Sequence, residues 1–259
     1  MLRDPVVSGP VVSGPVVSRP IVSLQEWLAA RQALLAKEKA ATRQRDTLNA
    51  ERQALPWVKV EKTYIFDTPA GEKTLAELFA GRGQLMVYHF MLGPGWAAGC
   101  PGCSLVADHL DGTLAHLEHH DVTLTAVSRA PLPEIEIYRK RMGWRFPWAS
   151  SFGSDFNYDY HVSFTQDDLA KDKVFYNFTM IDTADANDEL PGLSAFVKDE
   201  AGDVFHTYST YARGLEELLG TFMILDRAPK GRDEKTTMDW VRRHDEYEKA
   251  ANPHACCGS

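Results

Sequence analysis

The sequence predicts an α/β fold, a mixed sheet flanked by helices and preceded by a helical arm, on three observations. "QLMVYHF", residues 84–90, is a continuous apolar run of the kind found in a strand buried on both faces. From there to residue 142 the pattern reads strand, loop, helix, strand, helix, the order of a crossover unit in an α/β sheet. Upstream, residues 23–55 open with the capping box Ser23-x-x-Glu26, are rich in helix formers and stop before Pro56.

Taken in order, residues 1–22 carry a five-residue unit, "PVVSG PVVSG PVVSR PIVS", with proline at 5, 10, 15 and 20. Proline at that frequency blocks helices and sheet ladders, so this stretch is expected to be a disordered or extended arm, with a docking strand for a partner as the alternative. The helix of 23–57 carries a modest apolar stripe, Trp27, Leu28, Leu34 and Leu35, which either packs on the domain at one end or pairs with a second copy as a homodimer. The body, 58–226, begins with "KTYIFDTPAGEKTLAELF", a strand, a Pro-Ala-Gly turn and a short helix. After strand 84–90 come a Gly/Pro loop at 93–102, a helix from Ser104 to His120, a strand at 121–128 and a helix at 133–142. "LSAFVKDEAGDVFHTYS" reads as an antiparallel hairpin turning at Ala201-Gly202, and "GLEELLGTFMIL" as a helix. Residues 227–259 form a charged tail holding one short amphipathic segment, "MDWVRRHDEYEKA".

Composition narrows the function. With 44% hydrophobic and 25% charged residues in 259, the chain can bury a sizeable core. A formal net charge of -8 leaves no basic surplus for nucleic acid or an anionic membrane surface. No apolar run reaches the roughly 18 residues of a membrane helix, and the N-terminus lacks the apolar centre of a secretory signal, so a cytoplasmic protein is expected. Four cysteines, Cys100/Cys103 and Cys256/Cys257, are too few for a disulfide scaffold.

Cys100-Pro-Gly-Cys103 falls where the buried strand hands over to a helix. Cys100 sits near the N-cap and Pro101 suits the first helical position, so open N–H groups and the helix dipole would favour a thiolate. Cys103, one turn further in, would resolve a mixed disulfide formed on Cys100. Structural zinc or inert thiols are the alternatives; zinc would require two further ligands, and no second C-x-x-C occurs.

Other candidates are weaker. His109, His116 and His120 would share one helix sector, as a metal stripe or as polar residues edging a buried face. His89 ends the central strand, as a base for a cysteine proton or as a core imidazole. The aromatic segment from Trp144 to Tyr160 reads as core or pocket wall, with Phe156, Tyr158 and Tyr160 on one strand face. Arg129 could favour the Cys100 thiolate or lie solvated, and the vicinal Cys256 and Cys257 could shuttle electrons or be dispensable.

Three phrases, "LMVYHFMLGPGWAAGCPGCSLVADHLDG", "VSRAPLPEIEIYRKRMGWRFPWASSFGSDFNYDY" and "VFHTYSTYARGLE", resemble the bacterial thioredoxin-like family catalogued as a domain of unknown function, DUF899, over residues 20–248. The resemblance implies a thioredoxin-like fold and a dithiol-disulfide oxidoreductase, with Cys100 as nucleophile and Cys103 as resolving thiol. It also implies a cis-proline facing the dithiol. Pro191 in "ELPGLSAF" takes that place, offering a backbone edge to an extended substrate, or else is a trans-proline ending a loop.

Trp96 lies four residues before Cys100 instead of next to it, and is expected with Pro191 to shape the substrate's approach. The pair encloses Pro-Gly where thioredoxins have Gly-Pro. Ala97 stands where peroxiredoxins carry a Thr or Ser, which weakens the alternative of a peroxide reductase. A non-enzymatic small-molecule or zinc-binding protein is the other alternative. No organic cofactor or metal is called for; the partners expected are a disulfide substrate and a reductase or small thiol.

Overall fold

The structure, a computed structural model, describes residues 19–248. The first 18 residues, hence most of the proline repeat, and Cys256/Cys257 lie outside the described residues. Two compact units emerge among the described residues: 19–56 with Thr221–Asp233, and Trp57–Gly220 with 234–248.

The first unit contains α1 (Leu24–Gln53), capped as the sequence predicts: Ser23 Oγ accepts from Glu26 N, and the Glu26 carboxylate accepts from Ser23 N at 2.9 Å. None of its residues is buried, and Trp27 is 53% exposed. In the same unit Arg232 pairs with Asp226 at 2.7 and 2.8 Å and stacks over the Phe222 ring. The unit boundary falls at Gly220, where the sequence reading has the body run on to 226.

The second unit is built on one sheet. Its strands are β1 (Val58–Lys59), β2 (Ile65–Thr68), β3 (Gly71–Thr74), β4 (Gln84–His89), β5 (Val122–Ser128), β6 (Trp148–Ser150) and, later in the chain, β9 (Gly192–Lys198) and β10 (Val204–Tyr211). A separate hairpin, β7 (Lys173–Tyr176) with β8 (Thr179–Asp182), stands apart from it. The sheet order is β1-β10-β9-β4-β5-β6-β2-β3. β4 pairs parallel with β5 and antiparallel with β9, so both its edges are taken. The helices α2 (Pro101–Asp111) and α3 (Leu114–His119) link β4 to β5, and α4 (Leu132–Met142) links β5 to β6. A β-α-β unit whose first strand also receives the β9–β10 hairpin on its other edge is the thioredoxin-like arrangement, and the chain has it.

Some local readings differ. Pro69-Ala70 turns β2 into β3, making a hairpin where a strand, turn and short helix were expected; only Glu77–Phe79 coils, as a 3₁₀ turn. The helix predicted over Ser104–His120 is interrupted at Gly112-Thr113, where Thr113 Oγ1 donates to the Leu110 carbonyl at 2.7 Å and competes with the helical ladder. Phe156, Tyr158 and Tyr160 do not share a strand face: Phe156–Asp159 forms the short helix α5, and Tyr160 N donates to the Phe156 carbonyl. The short α6 (Gln166–Leu169) precedes β7. The last predicted helix divides into a 3₁₀ segment, Ala212–Leu218, and α7 (Gly220–Leu225).

The core on one face of the sheet gathers Phe66, Phe79, Leu85, Val87, Phe156 and Phe196. Two buried polar connections cross it. His89 Nε2 bonds Ser194 Oγ at 2.8 Å, Ser194 bonds Ser209 at 2.8 Å and Ser209 bonds His206 Nε2 at 2.7 Å, linking β4, β9 and β10. Burial lowers the His89 pKa to about 3, so the ring is a neutral core imidazole. The second is an ion pair: Arg129 Nε donates to Glu189 Oε1 at 2.5 Å and Ser163 Oγ donates to Glu189 Oε2 at 2.6 Å, with Glu189 only 1% exposed. Arg129 is therefore paired with Glu189 and only partly exposed.

Removing one member of such a pair strands a desolvated charge, whereas replacing both with apolar groups is far milder. Arg129→Leu is expected to cost about 3 kcal/mol in urea unfolding, and Arg129→Leu with Glu189→Leu to recover most of it. Equal losses in single and double variants would show that the pair is not the tie it is taken to be.

Candidate active site

The dithiol sits at the end of a tightly specified loop. Cys100 N donates to the Met91 carbonyl at 3.1 Å, folding residues 91–100 back onto the end of β4. Gly99 is required by space: a Cβ there would meet Phe90 Cε1 at 2.4 Å and Tyr138 Cε1 at 2.8 Å. Cys100 is the N-cap of α2, extended at φ -57° and ψ 134°, and Pro101 occupies the first helical position. Ser104 secures the turn, its N and Oγ both donating to the Cys100 carbonyl at 2.9 and 2.8 Å while Oγ shares a hydrogen bond with Tyr138 OH.

The two thiols are free and differ in environment. Cys100 is partly exposed and Cys103 is buried. The Cys103 side chain hydrogen-bonds Cys100, and this contact is the largest of the effects that lower the Cys100 pKa to about 6. The N–H groups of Cys103 and Gly102 and the positive charge of Arg243 act in the same direction, while burial opposes them. Burial raises the Cys103 pKa, and its hydrogen bond to Cys100 adds to the rise. These surroundings favour a thiolate at the outer sulfur and a thiol at the inner one.

Both sulfurs open on a cavity of about 260 Å³. Tyr88 and Val106 line it from β4 and α2, Pro191 from the approach to β9, Leu215 and Leu219 from and just after the 3₁₀ segment, and Met238 from the C-terminal segment. Pro191 therefore lines the same cavity as the dithiol, but through a trans bond, the alternative reading: no peptide bond among the described residues is cis. The chain reaches it extended, with Ser163 bridged to Glu189 and Leu190 N donating to the Val162 carbonyl at 2.8 Å, and a trans bond continues that path.

Trp96 does not line the cavity. Its N donates to the Gly93 carbonyl and its ring lies over Gly93, where an added Cβ would be 3.0 Å from Nε1. His109 and His116 fall on separate helices and His120 just beyond the second, so they form no common stripe. Among the described residues no group of three or more His, Cys, Asp or Glu side chains is placed to hold a metal ion.

Sequence reading missed Arg243. Its Nε and Nη2 donate to the Gly99 carbonyl at 2.9 and 2.6 Å, across 144 positions of chain. The segment around it is not helical. Val241 is buried, His244 Nδ1 meets Asp108 Oδ1 at 2.7 Å, and Arg141 grips Asp245 and Glu246 at 2.7 to 3.0 Å. The only signal was the mix of Met238, Val241 and charge within "MDWVRRHDEYEKA".

Because the outer thiolate is the reactive species, iodoacetamide alkylation of Cys100 is expected to rise through about pH 6 and level off above it. Arg243→Gln removes a stabilising positive charge and moves that midpoint upward. A wild-type rate still climbing through about pH 8.5, the ordinary thiol value, contradicts the assignment.

Among solved structures, the chain is similar to the peroxidoxin BcpB from Mycobacterium tuberculosis, at 14% identity and a TM-score of 0.40, covering 66% of this chain and 97% of that one. Peroxiredoxin Q from Xanthomonas campestris aligns at 12% identity and a TM-score of 0.39, over 62% of this chain and 90% of the other. The mitochondrial 2-Cys peroxiredoxin from Plasmodium falciparum aligns at 14% identity and a TM-score of 0.37, over 66% and 94%. None of the curated proteins matches. The family model described as bacterial protein of unknown function (DUF899) matches residues 16–247, nearly the whole described chain, and the protein belongs to that family.

Proposed function

We propose that the chain is a thiol-disulfide oxidoreductase working through Cys100 and Cys103. The observation that carries this reading is the placement of two free, neighbouring thiols in one cavity at a helix N-terminus, the outer one partly exposed and the inner one buried. A lowered pKa keeps Cys100 a nucleophile near neutral pH, and a raised one keeps Cys103 protonated until it is needed.

The Cys100 thiolate attacks a substrate disulfide, forming a mixed disulfide and expelling one thiolate. Cys103 gives up its proton, attacks Cys100 Sγ and expels the second, leaving the intramolecular disulfide. A reductase or small thiol then returns two electrons to the pair. Tyr88, whose OH donates to the Cys103 carbonyl at 3.3 Å, and Ser104, bound to the Cys100 carbonyl, hold the two cysteines in register on the first turn. Arg243 positions the loop through Gly99 and favours the anion on Cys100.

The test is a pair of substitutions followed by thiol titration and mass spectrometry. Cys100→Ser is expected to lose disulfide reduction by at least about 10³-fold, the order seen when a nucleophile is removed. Cys103→Ser keeps the first step and accumulates a mixed disulfide on Cys100, which cell extracts would yield as trapped partners. A Cys103→Ser protein that forms no adduct with any disulfide would refute the exchange mechanism.

A further inference from the structure

We infer that the substrate is a small, uncharged organic disulfide with short apolar groups, and not a polypeptide. This rests on the dithiol reading above and concerns what that site admits.

Three features carry it. The backbone beside Pro191 is already used: the Tyr176 hydroxyl donates to the Pro191 carbonyl at 2.6 Å and itself accepts from Ala212 N at 3.0 Å. On one side of Pro191, Leu190 N is bonded to the Val162 carbonyl; on the other, Gly192 lies in register with both His89 and Tyr211. An extended peptide would find no free edge there to pair with.

Next, the cleft is walled. The 3₁₀ segment Ala212–Leu218 bounds it on one side and Thr237-Met238 on another. The second wall lies against the start of α2: a Cβ at Gly102 would be 3.0 Å from Met238 Cε. Met238 N donates to the Glu234 carboxylate at 3.0 Å, and the chain five to seven residues further on is held by the Arg243–Gly99, His244–Asp108 and Arg141–Asp245 contacts. The remaining space, about 260 Å³, is below the roughly 300–1,000 Å³ of sites for drug-sized ligands.

Finally, the charged groups at the rim neutralise each other: Arg213 Nε and Nη2 bind the two Glu216 carboxylate oxygens at 2.8 and 3.2 Å. Beyond the cysteines the interior surface is mostly apolar, with Tyr88, Val106, Leu215, Leu219 and Met238, and the nearby Arg243 charge is already met by Glu246 at 2.9 and 3.0 Å, so the cavity repays burial of apolar groups and penalises ionised ones.

For R–S–S–R the steps balance. Cys100 S⁻ forms a bond to one substrate sulfur and breaks the S–S bond, releasing RS⁻. Cys103 S–H passes its proton to that RS⁻, giving RSH, and its sulfur attacks Cys100 Sγ. The Cys100–S–R bond breaks and a second RS⁻ departs. The pair loses two electrons, the substrate gains them, and an external thiol or dithiol restores the pair.

The test uses the full chain, reduced and freed of reductant, with diethyl disulfide and glutathione disulfide, each rate normalised to its reaction with a free thiol. Insulin reduction is assayed separately with dithiothreitol present. Diethyl disulfide is expected to oxidise the pair at least about ten-fold faster than glutathione disulfide after normalisation, and insulin to remain unreduced. Equal normalised rates, or insulin reduction, overturn the small-substrate inference while leaving dithiol exchange standing. A pair that no disulfide oxidises, though both thiols alkylate, overturns both.

Met238 has a positive φ of 65°, which glycine adopts freely, so Met238→Gly opens the wall without straining the backbone. It is expected to raise the glutathione-disulfide rate about ten-fold and narrow the ratio; an unchanged ratio refutes the role given to this wall.

Discussion

The pairing of β4 on both of its edges is the constraint from which the site follows. With β5 on one side and β9 on the other, and its interior residues packed on both faces, β4 is fixed as the middle of the sheet. The chain leaving it has one way out, over the carboxyl ends of the parallel strands, where open α/β sheets place their ligand sites. The Met91–Cys100 hydrogen bond returns the loop to that end, and Gly99 lets it pass between Phe90 and Tyr138. Cys100 therefore arrives at the start of α2 with little freedom left, and the helix supplies the N–H groups that its thiolate needs.

The polar interior serves the same geometry. The His89–Ser194–Ser209–His206 chain joins three adjacent strands through groups that would otherwise be buried without partners. Arg129, just past β5, holds Glu189 two residues before Pro191, so the end of one strand fixes the approach of another to the dithiol. Tyr176 reaches from the β7–β8 hairpin to the Pro191 carbonyl and adds a second clamp. The segment opposite the cysteines is held by side chains drawn from three parts of the unit.

What the sequence made legible is what local pattern encodes. The apolar run at 84–90, the strand at 122–128, the hairpin turning at Ala201-Gly202 and the Ser23–Glu26 capping box each carry their own periodicity or cap, and each forms within a residue or two of its expected bounds. Cys100 and Cys103 were legible because the spacing and the strand-to-helix setting travel together. Pro191 was placed by resemblance and lines the same cavity as the pair, though its peptide bond is trans. Trp96 misled because proximity in sequence to Cys100 is not proximity to the cavity; its ring folds onto Gly93. Arg243 and Met238 were illegible for the opposite reason. They lie on irregular chain with no period to read, and Arg243 is held by a contact to Gly99, 144 positions away. The β7–β8 hairpin escaped notice because its alternation is short and Phe175 and Met180 point outward.

The separation in acidity between the two sulfurs also has an electrochemical side. Every interaction that stabilises the Cys100 thiolate, from the Cys103 contact to the Arg243 charge, stabilises the reduced chain and is lost when the S–S bond forms. In the exchange proposed above, those contacts therefore hold back the drive to reduce a substrate disulfide. In that exchange the tail residue Arg243 would temper how readily the pair gives up its electrons, acting from the far end of the unit.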